Sequence, residues 1–249
     1  MDDEALLRHS AHLFLPEMGV AGVERLARAR VLVVGVGGLG SVLALYLARS
    51  GVGELTLVDA DTVAVSNLPR QVLFEDRDVG QGKAVVAARA LQGAAPGEIR
   101  PLHERLRGTR LDEEVARADL VCDASDNFAT RFALNAACVA RAKPLVSAAV
   151  IGYTGQLMVI DPEARAAGCY RCLYPEGEEA AESCSERGVL AAAVGVMGTL
   201  QATEAVKRLA GIGRPLAHDL LLFDARDLEM HTIHRRRDPA CPVCGERSP

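Results

Sequence analysis

Short apolar runs alternate with helix-length segments along the first part of the chain. The run RVLVVGVGGLG starts at Arg30 and begins with a strand-length apolar stretch that leads into glycines. SVLALYLARSG then has the length of a helix and ends at a glycine, and GELTLVDAD is a second strand-length run. The order strand, glycine-rich turn, helix and strand predicts a βαβ unit with parallel strands.

The same alternation continues to about residue 150. Two short helices separated by a turn at Pro16, Gly19 and Gly22 precede the first strand, and the second of them is predicted to end near Arg30. Further elements are helices at about 82–94, near Asp112 and at 128–141, and strands near Ile99, in ADLVCDAS and in KPLVSAAV. The pattern predicts a Rossmann-like, doubly wound and mostly parallel α/β sheet.

After Gly152 the pattern changes. GQLMVIDP is a strand with no helix directly after it, and a cysteine-bearing loop of about thirty residues takes the helix's place. An apolar helix at 189–209 follows, and LLLFDARDLEMHTIHRR has the pattern of a strand pair. We therefore expect one domain over 1–249, with N-terminal helices at 1–30, a mostly parallel core at 31–150 and an antiparallel C-terminal part at 151–249.

Composition excludes several classes of protein. The 249 residues are 49% apolar and carry a formal charge of −5, which argues against binding to nucleic acid because phosphate neutralisation needs a basic surface. No apolar run has the length of a membrane span, and the first thirty residues are acidic and interrupted, unlike a signal peptide. We expect a cytoplasmic protein whose seven cysteines are metal ligands or reactive thiols rather than disulfides.

The glycines after the first strand predict a nucleotide site. Gly35, Gly37 and Gly40 form G-x-G-x-x-G, which allows a tight turn, close approach of phosphates and close packing of the helix on the strand. Asp59 ends the second strand, where a carboxylate can accept hydrogen bonds from ribose hydroxyls. This pattern alone is as typical of NAD enzymes as of ATP enzymes.

Two cations and a carboxylate favour transfer chemistry. Arg70, in the segment SNLPRQ, and Lys83 are predicted to lie near the phosphate-binding turn, where such groups stabilise charge that develops during phosphoryl or nucleotidyl transfer. DASDN places Asp123 and Asp126 at the end of a strand, where a carboxylate can hold Mg²⁺. The cations could equally be surface charges, and Asp126-Asn127 could cap a helix, with or without a metal role for Asp126.

The cysteines form two C-x-x-C pairs, Cys169 with Cys172 and Cys241 with Cys244. Four thiolates so paired match a closed, structural Zn²⁺ site, although a redox dithiol or unrelated thiols remain alternatives. Cys184 lies in a polar loop, where a catalytic role and no role are equally open. The pattern places Cys122 and Cys138 on a core strand and a helix, as packing residues.

The order of these motifs resembles one family. GVGGLG, LVDADTVAVSNLPRQ, VGQGK, DASDN, CYRCLYP, GVMGTLQATEAVK and DPACPVCG follow one another as in the MoeB/ThiF/HesA adenylyltransferases, relatives of the ubiquitin-activating enzymes. The resemblance runs from about Leu6 to Cys244 and implies ATP rather than NAD, with Mg²⁺ at Asp126 and zinc at the paired cysteines. The implied nucleotide-binding residues are Gly35, Gly37, Gly38, Gly40, Asp59, Ser66, Asn67, Arg70, Gln71, Lys83, Asp126 and Asn127.

The resemblance also implies an activity and partners. It implies that the C-terminal glycine carboxylate of a ubiquitin-like sulfur carrier, with a Gly-Gly terminus, attacks the α-phosphate of ATP and releases pyrophosphate. The implied catalytic residues are Arg70, Lys83 and Asp126. Cys184 is also a candidate, with a catalytic role and no role equally open. The implied partners are a second copy of the chain in a homodimer and a sulfurtransferase as sulfur donor; the pathway, for molybdopterin or thiamine, is not implied. Within the single domain, the resemblance makes 31–150 the nucleotide-binding core and 151–249 the carrier-binding and zinc-site part.

One position departs from the family pattern. Related enzymes have an arginine-glutamine pair in the first helix, lent across the dimer interface to the partner's ATP, whereas this chain has Ala11 and His12. Arg8, one turn earlier, is an alternative clamp, and His12 is a weaker one; without a clamp we expect slow turnover. Apolar residues nearby would serve either the dimer or the core: Leu6, Leu7, Leu13, Phe14 and Leu15.

Three rival functions are distinguishable. An NAD-dependent oxidoreductase would explain the glycines and Asp59. It leaves Arg70, Lys83, Asp126 and the four paired cysteines unused. A non-catalytic module that docks a carrier would explain Ala11 and predicts no pyrophosphate exchange. Adenylylation of a substrate other than a carrier is the third alternative.

Overall fold

The computed structural model describes residues 3–93, 96–174 and 188–245 of the chain. The strands within these residues are β1 (Arg30–Val34), β2 (Glu54–Val58), β3 (Glu98–Leu102), β4 (Leu120–Asp123), β5 (Leu145–Ile151), β6 (Thr154–Ile160), β7 (Asp219–Asp224) and β8 (Glu229–His234). They form one sheet in the order β3-β2-β1-β4-β5-β6-β7-β8. The strands from β3 to β5 pair in parallel, and those from β5 to β8 pair antiparallel. The predicted mostly parallel sheet with an antiparallel C-terminal extension is confirmed.

Helices cover both faces of this sheet. Their bounds in the described residues are α1 (Asp3–Arg8), α2 (Ser10–Leu13), α3 (Gly19–Arg28), α4 (Gly38–Arg49), α5 (Lys83–Leu91), α6 (Gly108–Arg117), α7 (Phe128–Ala140), α8 (Tyr170–Leu173) and α9 (Ala191–Ala210). Short 3₁₀ turns lie at Val65–Arg70, Asp76–Asp78 and Arg165–Ala167.

The alternation of side chains along β1 explains the two layers of helices. Val31 and Val33 belong to one buried cluster, which packs against α3, α4, α5 and α9. Leu32 and Val34 point to the other face and join a second cluster with α6, α7 and α8. Because successive strand residues face opposite sides, a fully apolar strand requires a helical layer on each side.

Two predicted features differ from the structure. Gly22 lies inside α3 rather than in the preceding turn. A Cβ atom on Gly22 would lie 2.5 Å from the Met18 sulfur, so this glycine allows close packing. The helix ends at Arg28, close to the predicted end near Arg30. The region after β6 is not only a loop, because it contains a 3₁₀ turn and α8, which carries Cys172. In the described ranges, no helix is both long and apolar enough to cross a membrane.

Candidate active site

A cleft of about 490 Å³ opens at the carboxyl ends of β1, β2 and β4. The chain order of the sheet reverses around β1, and such a reversal is where doubly wound sheets bind ligands. Most of the predicted nucleotide ligands line this cleft: Gly35, Gly37, Gly38, Asp59, Asn67, Arg70, Gln71, Lys83, Asp126 and Asn127. Gly40 and Ser66 do not line it.

The glycine turn is fixed by close packing. Gly35 has φ +87°, and a Cβ atom there would lie 2.6 Å from the Ala124 carbonyl oxygen. A Cβ atom on Gly40 would overlap the Gly35 carbonyl oxygen, so Gly40 lets α4 approach the turn. No side chain caps the N-terminus of α4. Its first N–H groups therefore face the cleft as donors for an anion.

Two glycine substitutions are expected to separate packing from binding. Gly40→Ala forces its methyl group into the turn and should lower the free energy of unfolding by about 3 kcal/mol. Gly37→Ala meets only the Gln71 amide at 3.5 Å, so we expect a stability loss below about 1 kcal/mol but weaker nucleotide binding. Urea unfolding and a fluorescent ATP analogue measure the two effects, and unchanged nucleotide affinity in Gly37→Ala would contradict the assignment of the turn.

Asp59 directly follows β2 and lines the cleft beside the glycine turn. Its carboxylate accepts hydrogen bonds from the backbone N–H groups of Val36 at 2.7 Å and Asp61 at 2.8 Å. Burial raises the pKa of the Asp59 carboxyl above its ordinary value, while these donors and Lys83 act in the opposite direction. The bond to Val36 ties Asp59 to the glycine turn.

The two predicted cations have different environments. Lys83 is buried at the first position of α5, and its Nζ lies 3.2 Å from the Asp61 carboxylate, which also lines the cleft. Arg70 is half-buried, and its Nη1 donates to the Ser66 carbonyl oxygen at 2.9 Å. Ser66 thus orients Arg70 and does not reach the cleft. Within the described ranges, Arg70 has no carboxylate partner, which leaves its charge available to a ligand.

The acidic motif after β4 divides into a buried and an exposed carboxylate. Asp123 is fully buried and accepts hydrogen bonds from Ser125 at 2.6 Å and Ser147 at 2.8 Å. Asn127 caps α7 by accepting the Thr130 N–H at 2.9 Å. Asp126 is exposed in the cleft, and within the described residues its side chain accepts one hydrogen bond, from the Asn127 amide at 3.4 Å. The capping role therefore belongs to Asn127, and Asp126 is available for a cation.

One wall of the cleft was not predicted from the sequence. The segment after β3 contributes Glu104, Arg105 and Leu106, and α7 contributes Thr130 and Arg131. Arg105 is exposed and forms no ion pair with another described residue. No motif marks this segment; the available signal was its position at the carboxyl end of a strand next to β2.

The paired cysteines converge, as the spacing predicts. The Sγ atoms of Cys169, Cys172, Cys241 and Cys244 all lie within 4.8 Å of one another. The Cys169–Cys241 sulfurs are 3.8 Å apart and the Cys172–Cys244 sulfurs 3.3 Å apart. Four thiolates around a tetrahedral metal with bonds of about 2.3 Å would lie about 3.8 Å apart, so the donor set fits one metal ion.

Two further cysteines of the described residues lie outside this cluster. Cys122 and Cys138 are fully buried, and burial raises the pKa of both thiols far above the ordinary value, so they are packing residues as predicted. Cys184 lies outside the described residues, and its catalytic role stays a prediction.

The N-terminal helices carry an exposed apolar surface. Leu7 is 77% and Phe14 85% exposed, beside the exposed Ala11, whereas Leu13 packs against the core. Arg8 forms an ion pair with Glu4 on the same helix. These side chains were predicted to serve either the dimer interface or the core. Of the five, only Leu13 packs against the core.

The whole-chain comparison decides the family. The model of the ThiF family matches residues 9–243. The chain belongs to the ThiF family. This ThiF-family chain is 45% identical to the sulfur carrier protein ThiS adenylyltransferase of Escherichia coli K12 over 98% of the chain and 97% of that protein. It is 42% identical to the molybdopterin-synthase adenylyltransferase of the same organism, with 99% of each covered.

A solved structure agrees with the fold. The crystal structure of E. coli MccB with ATP superposes with a TM-score of 0.82 at 24% identity, covering 98% of this chain and 75% of that one. The predicted family and the predicted enzyme class, an adenylyltransferase, are confirmed. An adenylyltransferase uses ATP, so the choice left open by the glycines falls on ATP rather than NAD.

Proposed function

We propose that this ThiF-family chain adenylylates the C-terminal glycine carboxylate of a ubiquitin-like sulfur carrier protein. The supporting observation is one cleft in which the uncapped N-terminus of α4, Arg70, Lys83 and Asp126 meet. These groups suit a triphosphate with a cation better than a carboxylate substrate alone. The relatives that adenylylate ThiS and molybdopterin synthase indicate which class of protein accepts the adenylyl group.

Each residue has a role set by its position. The N–H groups at the start of α4 and Asn67 bind phosphate oxygens, and Asp59 accepts hydrogen bonds from the ribose. A carboxylate oxygen of the carrier attacks the α-phosphorus, the bond to the bridging oxygen of the β-phosphate breaks, and pyrophosphate leaves. Arg70 and Lys83 stabilise the charge that accumulates on the phosphate oxygens.

Two metal ions fit the residues present. The exposed carboxylate of Asp126, with one weak amide contact among the described residues, is a suitable oxygen ligand for Mg²⁺. When bound, Mg²⁺ supplies neutralisation of phosphate charge. The four converging thiols suit Zn²⁺ in a closed structural site that ties the C-terminal segment to α8.

ATP–pyrophosphate exchange with a panel of purified carriers tests the proposal. We expect exchange to require Mg²⁺ and a carrier that ends in Gly-Gly, and the carrier that supports it identifies the pathway. If a carrier binds but no carrier of the panel stimulates exchange, the result would instead favour the non-catalytic docking module. Ala11→Arg is then the variant to test for rescue of exchange.

The exposed N-terminal surface supports a homodimer. Phe14 and Leu7 would be covered in a dimer, because exposed apolar patches of this kind mark interfaces. Phe14→Asp is expected to convert a dimer to a monomer in light scattering at micromolar concentration. Leu228→Asp, at a site 79% exposed between β7 and β8, is the control and should leave the mass unchanged. A wild-type mass of one chain would contradict the dimer.

Two predictions about sulfur chemistry remain. Cys184 as an attacking thiol and a sulfurtransferase as the donor both fit a carrier that is activated at its terminus, because an acyl-adenylate is open to attack by sulfur. Single-turnover reactions of Cys184→Ser with the carrier would show whether adenylylation or only a later sulfur step depends on this thiol.

A further inference from the structure

Helix α7 spans the distance between the cleft and the cysteine cluster. Asp126 and Asn127 precede it, and its residues Thr130 and Arg131 line the cleft. Asn135, two turns after Asn127, is fully buried and faces the cysteines. At the rise of an α-helix, these two asparagines are about 12 Å apart along the axis.

Asn135 is bonded to the metal loop through both ends of its amide. Its Oδ1 accepts the N–H of Tyr170, the first residue of α8, at 3.0 Å. Its Nδ2 lies 3.5 Å from the Cys169 sulfur, as a donor to it. A buried amide loses both partners if this loop moves, and an unpaired buried polar group is costly. The orientation of Asn135 therefore depends on where Cys169 is held.

Aromatic contacts continue the connection to the first turn of α7. The rings of Tyr170 and Phe132 pack edge-to-face with their centroids 5.5 Å apart, and those of Tyr174 and Phe128 do so at 6.0 Å. Phe128 follows the cap Asn127 directly and stacks on Phe132 at 6.0 Å. Burial raises the pKa of the Tyr170 hydroxyl to about 12, with the charge of Arg131 acting in the opposite direction. The segment with Cys169 and Cys172 thus packs along α7 as far as the residues beside Asp126.

We propose that Asn135 is a positioning residue that couples metal binding at the four cysteines to nucleotide binding at the cleft. The metal fixes Cys169 against the C-terminal cysteines, Cys169 and Tyr170 fix Asn135, and α7 then holds Asp126 in the cleft. The proposal rests on the proposed binding of ATP. Coupling between two sites is reciprocal, so Mg-ATP must strengthen metal binding by the factor by which the metal strengthens Mg-ATP binding.

Zinc competition on the zinc-loaded chain measures this coupling without any assay of activity. A chromophoric chelator of known zinc affinity is titrated with and without saturating Mg²⁺ and a non-hydrolysable ATP analogue. We expect the nucleotide to raise the zinc affinity of the wild type about tenfold. In Asn135→Leu, which removes both hydrogen bonds, the nucleotide should change the zinc affinity by less than about twofold.

Two further variants separate coupling from general damage. Asn135→Asp keeps the acceptor for Tyr170 but loses the donor to Cys169, so we expect reduced coupling even if Asn135→Leu does not fold. The control is Asp238→Ala, which removes the acceptor for the Ala240 N–H at 2.8 Å in the segment before Cys241. It should lower zinc affinity and retain the tenfold effect of the nucleotide.

The outcomes distinguish this inference from the proposed function. The same nucleotide is first titrated by calorimetry, and no binding would defeat both proposals. Nucleotide binding with equal zinc affinity in its presence and absence would overturn the coupling and leave the proposed function intact. Wild-type coupling that persists in both Asn135 variants would overturn the role of Asn135.

Discussion

Replacing Asp126 by Ala is expected to lower carrier-dependent ATP–pyrophosphate exchange by at least about 100-fold, the loss typical of removing one group that stabilises transition-state charge. The fold should be unaffected, because Asp126 is exposed and, within the described residues, its side chain accepts a hydrogen bond only from the Asn127 amide. Its carboxylate is therefore present for a ligand and not for stability. Exchange rates and the midpoint of thermal unfolding measure the two expectations.

Two variants control the Asp126 experiment. Asp126→Asn keeps the shape and removes the charge, so a similar loss of exchange assigns the effect to charge. Asp76→Ala removes an exposed carboxylate that does not line the cleft and should leave exchange unchanged. Exchange at the wild-type rate in Asp126→Ala would show that the acidic residue is not part of the reaction.

Replacing Cys241 by Ser is expected to remove the bound metal and to destabilise the protein strongly. Zinc binding to closed thiolate sites has a free energy of about 10–16 kcal/mol in small peptides. For Cys241→Ser we expect the free energy of unfolding to fall by a part of that, about 4 kcal/mol. At about 2–4 °C per kcal/mol, the unfolding midpoint should fall by about 10 °C. Mass spectrometry of metal content and a thermal scan measure both.

Cys184→Ser is the control for the metal site, because Cys184 belongs to neither of the two C-x-x-C pairs. It should retain one metal ion per chain and the wild-type unfolding midpoint. Metal content of one per chain in Cys241→Ser would contradict the four-thiolate site, and iron or another metal in place of zinc would correct the proposed identity of the ion.

The sequence predicted the features that depend on local pattern. The continuous apolar run in β1 requires helices on both faces, and the spacing of Gly35, Gly37 and Gly40 requires a tight turn before α4. The C-x-x-C pairs also converge as predicted, because a metal site needs all four thiols. In each case the sequence pattern states a geometric requirement directly.

Features that depend on which residues meet in three dimensions were not predicted. Arg105 and Leu106 line the cleft because β3 lies beside β2, and no local motif records which strands are neighbours. Gly22 was placed in a turn because the sequence does not distinguish a glycine needed for a turn from one needed for packing. Only the structure shows the Met18 side chain packed against it. The pairing of Lys83 with Asp61 likewise requires two separate segments to meet.

Intact mass spectrometry of the carrier after incubation with this chain and Mg-ATP tests the central claim most directly. The account predicts a carrier heavier by one adenylyl group, labile to hydroxylamine, and no such species from a carrier that lacks its last glycine. Consumption of ATP with no adenylyl group on any carrier in the panel would contradict it.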